Sequence, residues 1–194
     1  MKKKKVLVIV AHPDDETIWM GGNLIRNKKN WDTTIICLCR KYDKDRAPKF
    51  KKACKIFGVK GYMNNIDDKK FYPLKNKTII KEILKKSKKE YDILFTHGKN
   101  GEYGHIRHLE IHKAVKEILE KKLINAKKIF FFSYLKKKNK FQGYSIYNSS
   151  ANKFIRLNHN ELLLKKHLIR DVYRYIQNGF EEKSSGNIEG FDVK

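Results

Sequence analysis

The chain has 194 residues, 40% of them hydrophobic and 12% aromatic, which suits one domain with a sizeable core and excludes a disordered protein. Its formal net charge of +24 invites a nucleic-acid or anionic-membrane surface. The basic residues are overwhelmingly lysine, with Arg26, Arg40, Arg46, Arg107, Arg156, Arg170 and Arg174 as the exceptions. Bidentate recognition of phosphates or bases would favour arginine. The lysines also recur in nearly every segment, so they read as a solvated surface, and no specific nucleic acid is expected.

Val6-Leu7-Val8-Ile9-Val10 is an apolar run suited to a strand buried on both faces of a parallel sheet. It stops at Ala11-His12-Pro13-Asp14-Asp15-Glu16, where polar groups crowd the carboxyl end of the strand. Open α/β sheets place their active sites at such ends. Residues 16–28 read as a helix with Ile18, Trp19, Leu24 and Ile25 on one face, and Gly21-Gly22 predicts its close packing on the sheet. A strand over 33–38 follows, then a helix over 45–57 with Phe50, Ala53, Cys54 and Phe57 inward, closed by Gly58.

A short strand over 61–63 leads into Asn64-Asn65-Ile66-Asp67-Asp68, and a helix over 78–89 carries Ile79, Ile80, Ile83 and Leu84. The strand over 91–96 ends in a second polar loop rich in glycine, from His97 to His105. A helix over 105–122, a strand over 129–135 and a hairpin of 143–147 with 153–157 around Asn148-Ser149-Ser150 come next. A last helix over 161–175 precedes a polar tail from about residue 177. Strands alternating with helices predict an α/β, Rossmann-like three-layer sandwich with a mostly parallel sheet, a single domain over 1–194.

Cys37 and Cys39 alternate along one strand and have no paired spacing with Cys54, which predicts small buried thiols in a reducing, cytoplasmic compartment. The apolar run after Lys2 to Lys5 is too short for a signal peptide, and no stretch is long enough to span a membrane.

His105, His108 and His112 recur at helical spacings of three and four. His105 and His108, at the start of their helix, would face the same cleft as the His12–Asp15 loop. Two imidazoles plus a carboxylate leave a zinc ion an open position for water, the pattern of a hydrolytic metal. A zincin-like pair of His108 and His112 is the weaker alternative, because Leu109 stands where that motif needs glutamate.

The first motif, followed by Gly21-Gly22 and by Gly101-Glu102-Tyr103-Gly104-His105-x-x-His108, resembles the LmbE-like, PIG-L-type N-acetylglucosaminyl deacetylases. Weaker similarity extends through Arg46, the helix ending at Gly58 and the last helix. The resemblance implies a Rossmann-like fold and zinc-dependent removal of acetyl from an N-acetylglucosamine unit, with another divalent metal such as Fe2+ as the alternative in cells. It implies His12, Asp15 and His108 as metal ligands and Asp14 as the general base. His105 would protonate the leaving amine or steady the tetrahedral oxyanion, and Tyr103 would polarise the amide carbonyl. Arg46 and Asp67 would hold the amino-sugar substrate.

Two positions depart from the family pattern. Ile106-Arg107 replaces a Pro-Asp or Pro-Glu, removing a carboxylate that would orient His105, and Lys49 stands where a glutamate usually follows the substrate arginine. Arg107 reads as a cation turned to solvent or paired with Glu110 or Glu102. Two other readings stand beside the deacetylase: a metal-dependent hydrolase of an anionic glycan conjugate, and a basic polyanion-binding protein on a deacetylase scaffold.

Overall fold

The computed structural model describes residues 2–68, 72–137 and 143–194. The first half of the chain comprises β1 (Lys4–Val10), α1 (Asp15–Asn27), β2 (Trp31–Cys39), α2 (Arg46–Phe57), β3 (Lys60–Ile66), α3 (Asn76–Leu84) and β4 (Glu90–Thr96). A single turn, α4 (Gly101–Gly104), leads into α5 (Ile106–Glu120) and β5 (Asn125–Phe132). Then follow β6 (Tyr134–Lys137), β7 (Tyr144–Tyr147), β8 (Lys153–Arg156), α6 (His159–His167), α7 (Phe180–Ser184) and β9 (Ile188–Val193). A π-helical turn, Leu168–Val172, continues α6.

Seven strands form one sheet in the order β3-β2-β1-β4-β5-β9-β8. The first five run parallel; β9 is antiparallel to both of its neighbours. The alternation of β1 splits the core between two layers. Val6, Val8 and Val10 pack with Ile18, Trp19, Phe50, Phe57 and Leu168, from α1, α2 and the end of α6. Leu7 and Ile9 pack with Ile79, Ile83, Ile111, Val115 and Ile118, from α3 and α5 on the other face. The result is the three-layer α/β sandwich that the alternating elements predict. Strand order reverses between β1 and β4, so a crevice opens beyond their carboxyl ends.

Two expectations fail in the last third. Residues 143–147 and 153–157 do not pair with each other: β7 pairs with β6, and β8 pairs with β9. Nor is the segment beyond 177 a polar tail, because it contributes α7 and an inner strand of the sheet. Phe191 enters the core, and Gly190 lies where a Cβ would come within 2.9 Å of the Ser133 carbonyl oxygen. Glu189 is wholly buried because Lys165 Nζ meets it at 2.8 Å and two backbone N–H groups of α1 donate to it.

Those two donors, Gly22 and Asn23, are freed by a break in α1 at Met20 (φ −148°, ψ 16°). Gly22 is needed for contact with Leu157 rather than with the sheet: a Cβ there would lie 2.8 Å from Leu157 Cγ and closer still to both of its methyls.

Candidate active site

The loop after β1 is held in an uncommon backbone shape. Asp14 caps α1 with φ 125°, a conformation that costs a non-glycine residue about 1–3 kcal/mol. Glu16 offsets this by accepting the Asp14 N–H at 3.1 Å, while Thr17 and the Tyr173 hydroxyl donate to its other oxygen. Burial pushes the Glu16 carboxyl up to about 7. Asp15 accepts the His12 N–H at 2.8 Å on one oxygen and Trp19 Nε1 at 2.9 Å on the other.

The loop after β4 is built around Glu102, itself at φ 59° and fully buried. One oxygen accepts the Gly98 N–H at 2.7 Å; the other meets His97 Nδ1 at 2.8 Å and His108 Nδ1 at 2.5 Å. Burial alone would raise the Glu102 carboxyl, but the two imidazoles outweigh it and hold it at about 2. The Ala11 N–H donates to His97 Nε2 at 2.9 Å, so both nitrogens of His97 are engaged. His105 caps α5, its Nδ1 accepting the Arg107 N–H at 3.3 Å.

These two loops bring His12, Asp15 and His108 together. His12 Nδ1 lies 3.3 Å from Asp15 Oδ2, His108 Nε2 lies 3.4 Å from the same oxygen, and the two nitrogens are 3.2 Å apart. Metal–ligand bonds of about 2.0–2.1 Å in a tetrahedron would place donors about 3.3–3.4 Å apart, so the triangle fits a zinc-sized cation. Electrostatics agree. The cost of burying His108 is outweighed by Asp15 and Glu102, which push it up to about 10, and Asp15 is held well below the usual carboxylate range despite its own burial. The site therefore favours positive charge among these groups.

Other groupings are possible on distance alone, namely His12 with His105 and His108, Asp15 with His97 and His108, or His12 with Cys39 and Asp68, the last disfavoured because burial pushes the Cys39 thiol up and keeps it protonated. The second is excluded by the engagement of both His97 nitrogens. The first lacks an anion, whereas Asp15 already closes the triangle with His12 and His108.

Each of these three side chains is oriented from behind, the arrangement usual around a metal site. Glu102 holds His108, Trp19 holds Asp15, and Asp68 Oδ1 holds His12 Nε2 at 3.0 Å. Arg40 fixes Asp68 in turn, at 2.9 Å. The sequence alone gives Asp68 no role and Glu102 only that of a possible partner for Arg107.

Asp14, His105, Tyr103 and Arg46 line a cleft of about 130 Å³ together with Arg40, Trp19, Tyr175 and Phe180. Burial, then the neighbouring Asp15, pushes the Asp14 carboxyl well above its ordinary value. Burial, then the His108 and His12 charges, lowers His105 to about 4. Burial also raises the Tyr103 phenol, which stays protonated. Arg46 Nη1 lies 3.3 Å from Asp14 Oδ2, and its guanidinium carbon sits 4.5 Å over the Tyr175 ring.

Asp67 does not reach the cleft. It is exposed, and its carbonyl accepts Arg107 Nε at 2.8 Å, while its neighbour Asp68 enters the site. Arg107 is not turned to solvent: it is 2% exposed and also bonds Glu110 Oε2 at 2.7 Å and the Tyr72 carbonyl at 3.0 Å. Of the two pairings open to it, the one with Glu110 forms, because Glu102 is occupied by His97 and His108. Lys49 pairs with Asp45 at 2.7 Å.

A family model described as PIG-L, GlcNAc-PI de-N-acetylase, matches residues 7–119, a span that holds both loops. The chain belongs to the PIG-L family. No curated protein sequence matches it significantly. Among solved structures, N,N'-diacetylchitobiose deacetylase from Pyrococcus horikoshii aligns with a TM-score of 0.66 at 18% identity, over 98% of this chain and 84% of that one. The pseudoaglycone deacetylase Dbv21 aligns with a TM-score of 0.63 at 11% identity, covering 100% and 98% of the two chains. GalB, a 4-carboxy-2-hydroxymuconate hydratase from Pseudomonas putida, gives 0.63 at 13% identity, covering 98% and 95%. All share the fold of this PIG-L chain, and the hydratase among them shows that the fold alone does not choose the reaction.

Proposed function

We propose that this PIG-L chain is a metal-dependent deacetylase that hydrolyses the acetamide of an N-acetylglucosamine-containing substrate. The observation that carries the reading is the triangle of His12, Asp15 and His108, with edges of 3.2–3.4 Å, beside Asp14. A divalent ion held there, zinc or Fe2+, would supply a Lewis acid for the amide carbonyl and for water.

The protein groups divide the remaining work. Asp14 takes a proton from the attacking water, a task suited to a buried carboxylate with raised basicity. A carbon–oxygen bond forms and the carbon–nitrogen bond breaks; Asp14 passes its proton to the departing amine, leaving acetate and a free amino sugar. His105, held near 4, is neutral at neutral pH. With Nδ1 accepting the Arg107 N–H, its proton sits on Nε2. That assigns it to steadying the oxyanion rather than to protonating the amine. Tyr103 adds a second donor, its hydroxyl, to the carbonyl oxygen, and Arg46 at the rim meets the sugar.

Among the described residues no helix is long and apolar enough to cross a membrane, and the free cysteines are buried. A cytoplasmic setting suits such thiols. The test is to incubate protein of known metal content with N-acetylglucosamine, N,N'-diacetylchitobiose and other acetylated amino sugars and to measure free amine. Amine release abolished by chelation and restored by zinc or Fe2+ is the expected result; Asp14→Asn should keep the metal and slow turnover at least about 100-fold. Metal-loaded protein that frees no amine from any of them refutes the substrate class.

A further inference from the structure

Tyr175 lies outside every motif that marks the site, yet it touches the catalytic carboxylate. The π-helical turn Leu168–Val172 widens the end of α6, with Tyr173 N–H bonding the Leu168 carbonyl at 2.9 Å and Tyr175 N–H the Ile169 carbonyl at 3.1 Å. Arg174 between them takes φ 59°. π-Helical insertions often mark functional positions. Here the widened turn sends two tyrosines to two carboxylates of one loop. Tyr173 donates to Glu16 Oε1 at 2.7 Å, and the Tyr175 hydroxyl donates to Asp14 Oδ2.

The Asp14 contact has a definite asymmetry. Oδ2 receives both the Tyr175 hydroxyl and Arg46 Nη1, and Arg46 Nη1 also donates to the Tyr175 oxygen. The guanidinium stacks over the same ring at 4.5 Å. Among the described residues no group bonds Oδ1. One oxygen of Asp14 is thus saturated and the other is left for the cleft, as a carboxylate that must accept a proton at a single point requires.

We propose that Tyr175 is a positioning residue for the general base: with Arg46 it pins Asp14 Oδ2, leaving Oδ1 aimed at the attacking water. The proposal rests on the deacetylase reading for its turnover assay and on geometry alone for its structural arm. Tyr175→Phe removes the hydroxyl and keeps the ring beneath Arg46.

Losing one hydrogen bond to a charged group corresponds to a fall in kcat of about ten- to hundredfold. With N,N'-diacetylchitobiose as substrate, Tyr175→Phe should show that fall, a KM within about twofold, and unchanged metal content and melting temperature. Ile176→Ala, on the same segment and 73% exposed, should match the wild type. A wild-type kcat in Tyr175→Phe overturns the proposal, and so does a raised KM at constant kcat, which would make Tyr175 a substrate contact. If the wild type itself frees no amine, the deacetylase reading fails. Crystal structures of wild type and Tyr175→Phe then decide the positioning: a carboxylate of Asp14 that turns in the variant supports it, and one that stays in place overturns it.

Discussion

Gly21 and Gly22 are adjacent, yet adding one methyl to each should have opposite effects. At Gly22 a Cβ falls 2.8 Å from Leu157 Cγ and nearer to its methyls, inside any real carbon contact. The obstructing atoms include the branch point, so turning the two methyls about χ2 cannot clear them, and Leu157 is 7% exposed with little room to swing away about χ1. Overpacking of this kind costs about 1–3 kcal/mol, against a helix-propensity gain of at most about 1 kcal/mol for Gly→Ala. Gly22→Ala should therefore lose about 1–2 kcal/mol, a fall in Tm of about 2–8 °C for a chain of this size. At Gly21 the Cβ meets Thr17 Cγ2 at 3.4 Å and Lys165 Cγ at 3.5 Å, so Gly21→Ala should be neutral or gain up to about 1 kcal/mol. Thermal melts at matched metal content distinguish them. Adding Leu157→Ala to Gly22→Ala should recover part of the loss that Leu157→Ala alone does not explain. Gly22→Ala as stable as Gly21→Ala, or a purely additive double variant, refutes the packing argument.

Glu102→Gln should weaken metal binding about 10- to 100-fold by loosening His108, read by competition with a metal-sensitive dye. Arg107→Ala should cost about 3 kcal/mol or more in urea unfolding, because Glu110 and two carbonyls lose a buried partner. Glu182 is raised by burial, but Lys166 and Arg170 outweigh this and hold its carboxyl below the unfolded value of 4.5. Its stabilising contribution is then fully present above about pH 4.5 and is lost as pH falls through the lower folded value. Glu182→Gln should flatten the acid side of the Tm–pH curve; an unchanged acid slope counts against the assignment.

The site was readable where its residues are contiguous and their chemistry does not depend on distant partners. His12, Asp14 and Asp15 follow one strand, and His105 and His108 open one helix, so spacing placed them at one cleft and the family resemblance supplied their roles. Asp67 and Asp68 show the limit. Neighbouring residues on an extended segment face opposite ways, and the β2–β3 pairing shifts register between Cys37 and Cys39, just before this pair. Nothing in the local pattern tells which carboxylate turns inward. Arg107 and Glu189 look like surface charges until their partners, Glu110 and Lys165, are seen beside them. The 143–157 hairpin had the right local signals for two strands and a turn; β6 and β9 win those strands by offering partners that the local pattern does not contain.

The carboxylate of Glu189 has a consequence for how the chain reaches this shape during synthesis. It caps the second half of α1 through Gly22 and Asn23, across sequence separations of 167 and 166 residues. Contacts that distant close late, because the entropy of the intervening loop opposes them. While the ribosome is still making residues 1–188, the break at Met20 has no anion against its exposed N–H groups, and Lys165 has no buried counter-charge. The helix that carries Asp15 and Trp19 is therefore finished by a strand that is translated long after it.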